Sequence, residues 1–405
     1  MKVAILTFFT SKIGGVGTQA RDFAVLAEMA GHEAALFNIE HRHKNDLITQ
    51  SVRTSFAPNE KGTTLKLACS RLGTGRCKDE AAEILNDYDV CIWIGVAPHL
   101  DLIKEEDDSG EDLFAISKGG GNEEFNEQQK FFIDLLNNGK KHIAFATDKF
   151  IEKYYTWVKP HLKKFHGRFA FAEPYAESMK EWGKFEILPI APLEAWNQRE
   201  FIKPSTKKFK IFWPHQFRGW KCPELFCETA ERIDANPIRV YACGGEGHES
   251  NNFRKSALYK RIVKSDALNP DQKSAIGNLE VFGFVPMNVI LNAYKQTATT
   301  IDLTGISATL RKPNSYMGNF QCASIEPMCF GSALIKFSST VAPYNGIPRD
   351  AVLLLEPEVA DYAPVINSYL KDGKTMDNAA KNAWDWIHSV GEPEKCFQRL
   401  MDCAK

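Results

Sequence analysis

Three short runs carry residue types that could do chemistry on a charged substrate. Gly14-Gly15-Val16-Gly17 joins the apolar stretch Val3 to Phe9 to a helical pattern. Glycines at such a turn let backbone amides approach a phosphate, and the helix N-terminus adds partial positive charge. The spacing is not G-x-G-x-x-G, so the run reads as an anion site built on Gly15, Val16 and Gly17 or as a tight turn. In the second half, Arg218 and Lys221 lie between a strand pattern ending near Pro214 and a helix starting at Pro223. Two cations at the carboxyl end of a strand can neutralise a diphosphate leaving group. The alternative is an exposed turn with ordinary surface charges. The third run, Ser324-Ile325-Glu326-Pro327-Met328-Cys329-Phe330-Gly331, is a short helix with one acid, closed by glycine. A carboxylate at Glu326 could accept hydrogen bonds from sugar or ribose hydroxyls. Upstream, Val281-Phe282-Gly283-Phe284-Val285-Pro286 ends a strand and offers backbone groups to a base.

A further segment points toward a polyanion. Lys149, Lys153, Lys159, Lys163, Lys164 and Arg168 face one acid, Glu152, with Tyr154, Tyr155 and Trp157 interleaved, and the run directly follows Asp148. Basic side chains hold a nucleic-acid backbone while aromatic faces stack on or wedge beside a base. A solvated amphipathic helix with core aromatics is the competing reading. Metal chemistry is not expected. Asp87-Tyr88-Asp89 has a D-x-D form but precedes its strand, away from the ligand edge of the sheet. Neither His41 with His43 nor His161 with His166 has carboxylates at helical spacing. The ten cysteines show no zinc spacing and read as reduced, mostly buried thiols. The acidic run Glu105 to Asp112 reads as a solvated loop.

The elements that must position these groups follow from periodicity. Lys2 to Phe9, Glu33 to Asn38, Val90 to Gly95 and His142 to Thr147 read as strands. They alternate with helices over Gly17 to Ala30, Lys78 to Asn86 and Asn126 to Asn137, and this alternation implies a parallel sheet covered on both faces. A linker-like stretch, Pro189 to Lys210, precedes a second alternation. Its strands are Phe209 to Pro214, Arg239 to Cys243, Leu279 to Phe282, Thr299 to Leu303 and Ser332 to Lys336. Its helices are Pro223 to Asp234, Asn288 to Lys295 and Ala323 to Phe330. The last forty residues are mainly helical.

The fold class expected is α/β, with two Rossmann-like doubly wound domains facing across a cleft and helices at the C-terminus. The expected domains are 1-203, 204-375 and a helical tail, 376-405, returning toward the first domain. A chain of 405 residues is long enough for two such cores. Fifty Lys and Arg against 51 Asp and Glu give a net charge of -1, so a nucleic acid or anionic lipid must meet a local patch. No apolar run reaches the ~20 residues of a membrane span, and the first strand lacks a signal-peptide cleavage site. A cytoplasmic protein is expected.

Taken together, Gly283-Phe284-Val285-Pro286, the following helix, the strand to Leu303 and the Glu326 helix closed by Gly331 resemble the GT-B glycosyltransferases, especially the retaining family 4 type. That resemblance covers roughly the C-terminal half. It implies a nucleotide-sugar donor in the second domain, with Glu326 matching the second acid of the family's paired-glutamate motif on the ribose and Lys221 matching its phosphate lysine. Gly318 stands where the first glutamate would be, and Gln216 where the phosphate arginine is expected, leaving Arg218 as the substitute. Gly318, Asn319 and Phe320 would then offer backbone amides to the diphosphate.

Tyr88 to Pro98, Ile143 to Asp148 and Ile301 to Thr304 are further similar to the phage-type DNA α-glucosyltransferases, which act on hydroxymethylcytosine in duplex DNA. Asp148 matches their acid near the reaction centre. The resemblance implies transfer of glucose, arabinose or a similar sugar from UDP to a hydroxymethylated pyrimidine, with retention, no cofactor and no metal. The same fold with a glycan, lipid or small-molecule acceptor, or a non-catalytic nucleotide-sugar-binding protein, are the rival expectations.

Overall fold

A computed structural model describes residues 1–7, 15–40, 46–53, 64–73, 78–95, 102–106, 112–116, 130–147, 159–215, 223–230, 232–234, 238–240, 274–276, 279–281, 287–303, 322–337, 346–356 and 361–405. The chain divides into two units, Met1–Glu194 with Glu392–Lys405, and Ala195–Gly391.

The first unit is built on an eight-stranded sheet. Its strands are β1 (Lys2–Thr7), β2 (Glu33–Glu40), β3 (Asp46–Arg53), β4 (Thr64–Gly73), β5 (Val90–Ile94), β8 (Lys141–Ala146), β9 (Gly167–Ala170) and β10 (Glu186–Ile187); β6 (Leu102–Glu106) and β7 (Asp112–Ile116) form a separate antiparallel pair. The order is β10-β9-β8-β5-β1-β2-β4-β3, parallel except at β3–β4. β1 from Val3 to Leu6 and all of β5 are apolar without alternation and buried, as strands covered on both faces must be. The helix Gly15–Met29 sets Phe23 edge-on to Phe145, centroids 4.9 Å apart, and 6.0 Å from Phe397 of the last helix, Pro393–Asp402. Gly31, at φ 78°, ends this helix in the left-handed region that a side chain resists.

The second unit holds a seven-stranded sheet: β11 (Phe209–Trp213), β12 (Ile238–Val240), β13 (Ser274–Ile276), β14 (Leu279–Val281), β15 (Thr297–Asp302), β16 (Ala333–Phe337) and β17 (Val352–Leu355), in the order β13-β14-β12-β11-β15-β16-β17. It is parallel except at β13–β14. Trp213 stacks on Phe226 at 4.7 Å, and Met376, Ala379 and Ala380 join the same core. For that reason the helix Gly373–Val390 belongs to the second unit, and only Glu392–Lys405 goes with the first, whereas a boundary at 375/376 was expected.

Other differences from the sequence reading have local causes. The β3–β4 and β6–β7 pairs were not expected. Ala323 to Phe330 is not one helix: the α-turns Cys322–Ile325 give way to a 3-10 turn, Glu326–Phe330, where Pro327 has no N–H for the α ladder. Within Lys149 to Arg168, residues 159–164 form a 3-10 helix and Arg168 lies on β9, so one continuous amphipathic helix is excluded there. The units divide at Glu194/Ala195, and within the linker-like stretch Lys207 is buried.

Close to that division the Asp22 carboxylate accepts the Leu193 N–H at 2.9 Å, and burial raises its pKa from the usual 3.8 to about 7. The folded state therefore prefers the protonated form. The stability this confers is complete below the unfolded pKa of about 4 and is lost as pH rises through the folded value near 7. Asp22→Asn keeps an acceptor for Leu193 and cannot ionise. It is expected to melt several degrees above wild type at pH 8 and within about 1 °C of it at pH 4, read by thermal denaturation at both pH values.

Candidate functional site

In an open α/β sheet, ligands bind beyond the carboxyl ends of the strands where the strand order reverses. In the second unit that point lies between β11, whose other neighbour is β12, and β15. His215 stands just beyond the end of β11, and Asp302 is the last residue of β15. On the next strand Lys336 is in register with Asp302. The Lys336 ammonium lies 2.6 Å from Asp302 Oδ2, the Ser324 hydroxyl donates to the same oxygen at 2.6 Å, and His215 Nε2 is 3.2 Å from Oδ1. Lys336 also reaches Ser324 Oγ at 3.1 Å. All four residues are buried. Burial lowers the pKa of Lys336, and the attraction and hydrogen bond of Asp302 oppose that shift.

Glu326 follows directly on the Ser324 helix. It is buried, and its Oε2 accepts the Tyr294 hydroxyl at 3.1 Å. Burial first, then the charge of Glu326, holds Tyr294 well above the usual phenol range, so it stays a donor. The far end of the turn is held by the buried Lys207 ammonium, which donates to the carbonyls of Tyr294 and Phe330 and to Ser332 Oγ at 2.9, 2.7 and 2.9 Å. Gly331 closes the turn at φ 61°, where a Cβ would meet the Ile202 carbonyl oxygen and the Phe201 ring, each at 2.8 Å. Both the left-handed backbone and the close approach require glycine. Gly331→Ala is expected to cost about 2–4 kcal/mol and to lower the melting temperature by at least about 5 °C, measured by calorimetry.

The first unit repeats the topology. β1 is flanked by β2 and β5, and residues Gly15, Val16 and Gly17 open the helix that follows β1, at that sheet's switch point. Arg21 Nε donates to the Gly17 carbonyl at 3.3 Å. Lys159, Lys163 and Lys164 do not join that edge. They lie on the 3-10 turn preceding β9, at the amino ends of the parallel strands, and Lys164 Nζ donates to Asn137 Oδ1 at 2.6 Å. Asp89 is likewise at the amino edge, its carboxylate accepting the Lys2 N–H at 2.8 Å. His166 Nδ1 accepts the His142 N–H at 3.2 Å. Among the described residues no group of three or more His, Cys, Asp or Glu could hold a metal ion. Asp148, Lys149, Lys153, Tyr154, Tyr155, Arg218, Lys221, Phe284, Val285, Gly318, Asn319 and Phe320 lie outside the described residues.

Asp302, Lys336, Ser324, His215 and Tyr294 were not singled out from sequence as site residues. A signal was present. Asp302 and Lys336 are opposite charges, each near the carboxyl end of an otherwise uncharged strand pattern, and buried charges require partners. Among the described residues no helix is long and apolar enough to cross a membrane.

No protein-family model matches the chain, and no curated protein matches it. Solved structures do. An alpha-glucosyltransferase in complex with UDP-glucose and DNA containing an abasic site is similar over 100% of this chain and 99% of its own, at 12% identity and a TM-score of 0.60. Anabaena Alr3699/HepE in complex with UDP-glucose is similar over 99% and 98%, at 10% identity and 0.62. The chain has the GT-B fold. Sucrose-phosphate synthase from Thermosynechococcus elongatus is a further GT-B match, covering 99% of this chain and 97% of its own at 13% identity and 0.62. Within the GT-B frame the two doubly wound units are the two Rossmann-like domains expected from sequence, and the Asp302–Glu326 cluster sits in the second of them.

Proposed function

We propose that the protein is a glycosyltransferase that moves a sugar from a UDP-sugar to the hydroxymethyl group of a modified pyrimidine in DNA, with retention. The observation that carries this reading is the likeness, over essentially the whole chain, to GT-B structures whose bound molecules are UDP or UDP-glucose. Glu326, buried and held by the Tyr294 hydroxyl, suits a ribose hydroxyl pair. In the proposed reaction Lys221 and Arg218 stabilise the departing diphosphate, backbone around Phe284, Val285 and Gly318 to Phe320 contacts the base and diphosphate, and Gly15, Val16 and Gly17 approach the donor. Asp148 orients the acceptor hydroxyl or stabilises positive charge developing on the sugar ring. The glycosidic bond to the diphosphate breaks as the acceptor oxygen bonds the anomeric carbon on the same face, and a diphosphate oxygen takes the acceptor proton. No protein base is then required.

DNA as acceptor draws on two features: the alpha-glucosyltransferase structures that hold DNA, including a 13-mer with an HMU base, and the basic aromatic run beginning at Lys149. Because Lys163 and Lys164 lie at the amino edge, the backbone contacts are assigned chiefly to Lys149 and Lys153. A glycan, lipid or small-molecule acceptor is the second reading, favoured by the similar likeness to HepE and to sucrose-phosphate synthase. Calorimetric titration with UDP, followed by mass spectrometry of nucleosides after incubating hydroxymethylated duplex DNA with a panel of UDP-sugars, tests both levels. A hexose or pentose increment on a hydroxymethylated pyrimidine is expected. UDP binding with no nucleoside adduct would transfer the reading to another acceptor, and absence of UDP binding would remove it. Binding to duplex DNA should fall steeply with salt and weaken on Lys149→Glu with Lys153→Glu.

A further inference from the structure

We propose that Asp302 is a positioning residue for the donor site: through Ser324 it sets the Glu326 carboxylate at the height of the ligand. This role rests on the donor-binding reading of Glu326. Asp302 is fully buried, yet it lies at the strand-order reversal, where a ligand rather than a structural ion pair is expected. Its charge is met by Lys336 at 2.6 Å, and His215 Nε2 lies 3.2 Å from its other oxygen. Its Oδ2 also takes the Ser324 hydroxyl at 2.6 Å, which ties the first turn of the Cys322–Ile325 helix to the end of β15. Glu326 is two residues on. Tyr294 fixes its side chain at 3.1 Å, and Lys207 pins the other end of the same turn at Phe330 and Ser332. The Glu326 turn is thereby anchored at its start by Asp302, at its acid by Tyr294 and at its end by Lys207. The Asp302–Ser324 bond, with Lys336 3.1 Å from the same hydroxyl, acts immediately ahead of the acid.

A double-mutant cycle on UDP affinity tests the role, with the full chain titrated calorimetrically as wild type, Ser324→Ala, Glu326→Gln and the double variant. Ser324→Ala is expected to weaken UDP about tenfold, Glu326→Gln to weaken it more, and the double variant to bind no more weakly than Glu326→Gln alone. Such non-additivity would not arise if Ser324 contributed only to stability. Should Ser324→Ala fail to fold, Ser324→Cys, of similar size with a weak S–H donor, takes its place with the same expectation. Unchanged affinity in the Ser324 variant, or effects that add fully in the double variant, overturns the positioning role and leaves the donor site standing. Wild-type protein that binds no UDP overturns the donor reading itself.

Discussion

Lys336→Met is expected to lower the unfolding free energy by about 3–5 kcal/mol, because it leaves the Asp302 carboxylate buried without its nearest counter-charge. The ammonium lies 2.6 Å from that carboxylate and both side chains are fully buried, so water cannot replace the lost partner without opening the sheet. Surface pairs such as Lys381–Asp385 and Lys180–Glu177 behave differently. More than half of each side chain is exposed, and their loss should change stability by about 0–1 kcal/mol. The paired replacement Asp302→Leu with Lys336→Met removes both charges, and it should recover most of what the single change loses. Urea denaturation of the two variants and wild type decides the matter. A single-variant loss below about 1 kcal/mol would mean that the partners Asp302 keeps, His215 and Ser324 among them, satisfy it without Lys336.

Glu326→Gln is expected to reduce kcat/KM for the UDP-sugar by about 10²–10³ with little change in stability. The carboxamide still offers an oxygen to the Tyr294 hydroxyl, so the buried contact at 3.1 Å survives. In the proposed donor site, what is lost is the charge that would strengthen hydrogen bonds from two vicinal ribose hydroxyls, each such bond contributing about 1.5–3 kcal/mol. Steady-state kinetics and thermal melting of one preparation separate the two effects. A variant that melts with wild type and turns over at more than about half its rate would remove Glu326 from the ribose. The contrast with Lys336→Met is informative because the residues belong to one cluster: the first change should unfold the protein more readily, the second should disable it.

Local pattern was enough for the doubly wound organisation and for most strands. β1, β5, β11 and β16 are short runs dominated by apolar residues between helical periods, and burial on both faces is the only way such runs are satisfied in water. The Glu326–Gly331 turn was equally legible, since an acid, a proline and a terminal glycine sit within six residues and act through local backbone geometry. The β3–β4 edge pair and the placement of Gly373–Val390 in the second unit were not read, because each depends on which neighbour a segment packs against, whereas the change from α to 3-10 at Pro327 has a local cause, the missing proline N–H.

The residues of the buried cluster show where sequence stops and tertiary structure takes over. From the chain alone, Asp302 and Lys336 are charges in strands that should be apolar, and Ser324 and His215 are unremarkable polar residues. Only the strand order β11-β15-β16 brings their four side chains together at the carboxyl edge. In the first unit it is strand direction that puts Lys163 and Lys164, which precede β9, at the amino edge, because β9 runs parallel to β8 and the two ends of such a connection lie at opposite edges of the sheet. Sequence determines which segments must be buried and where a turn needs glycine or proline, as those are local costs of hydration and backbone conformation. Which charge meets which is decided by sheet order and register, since an ion pair between distant segments has no signature until the strands lie side by side.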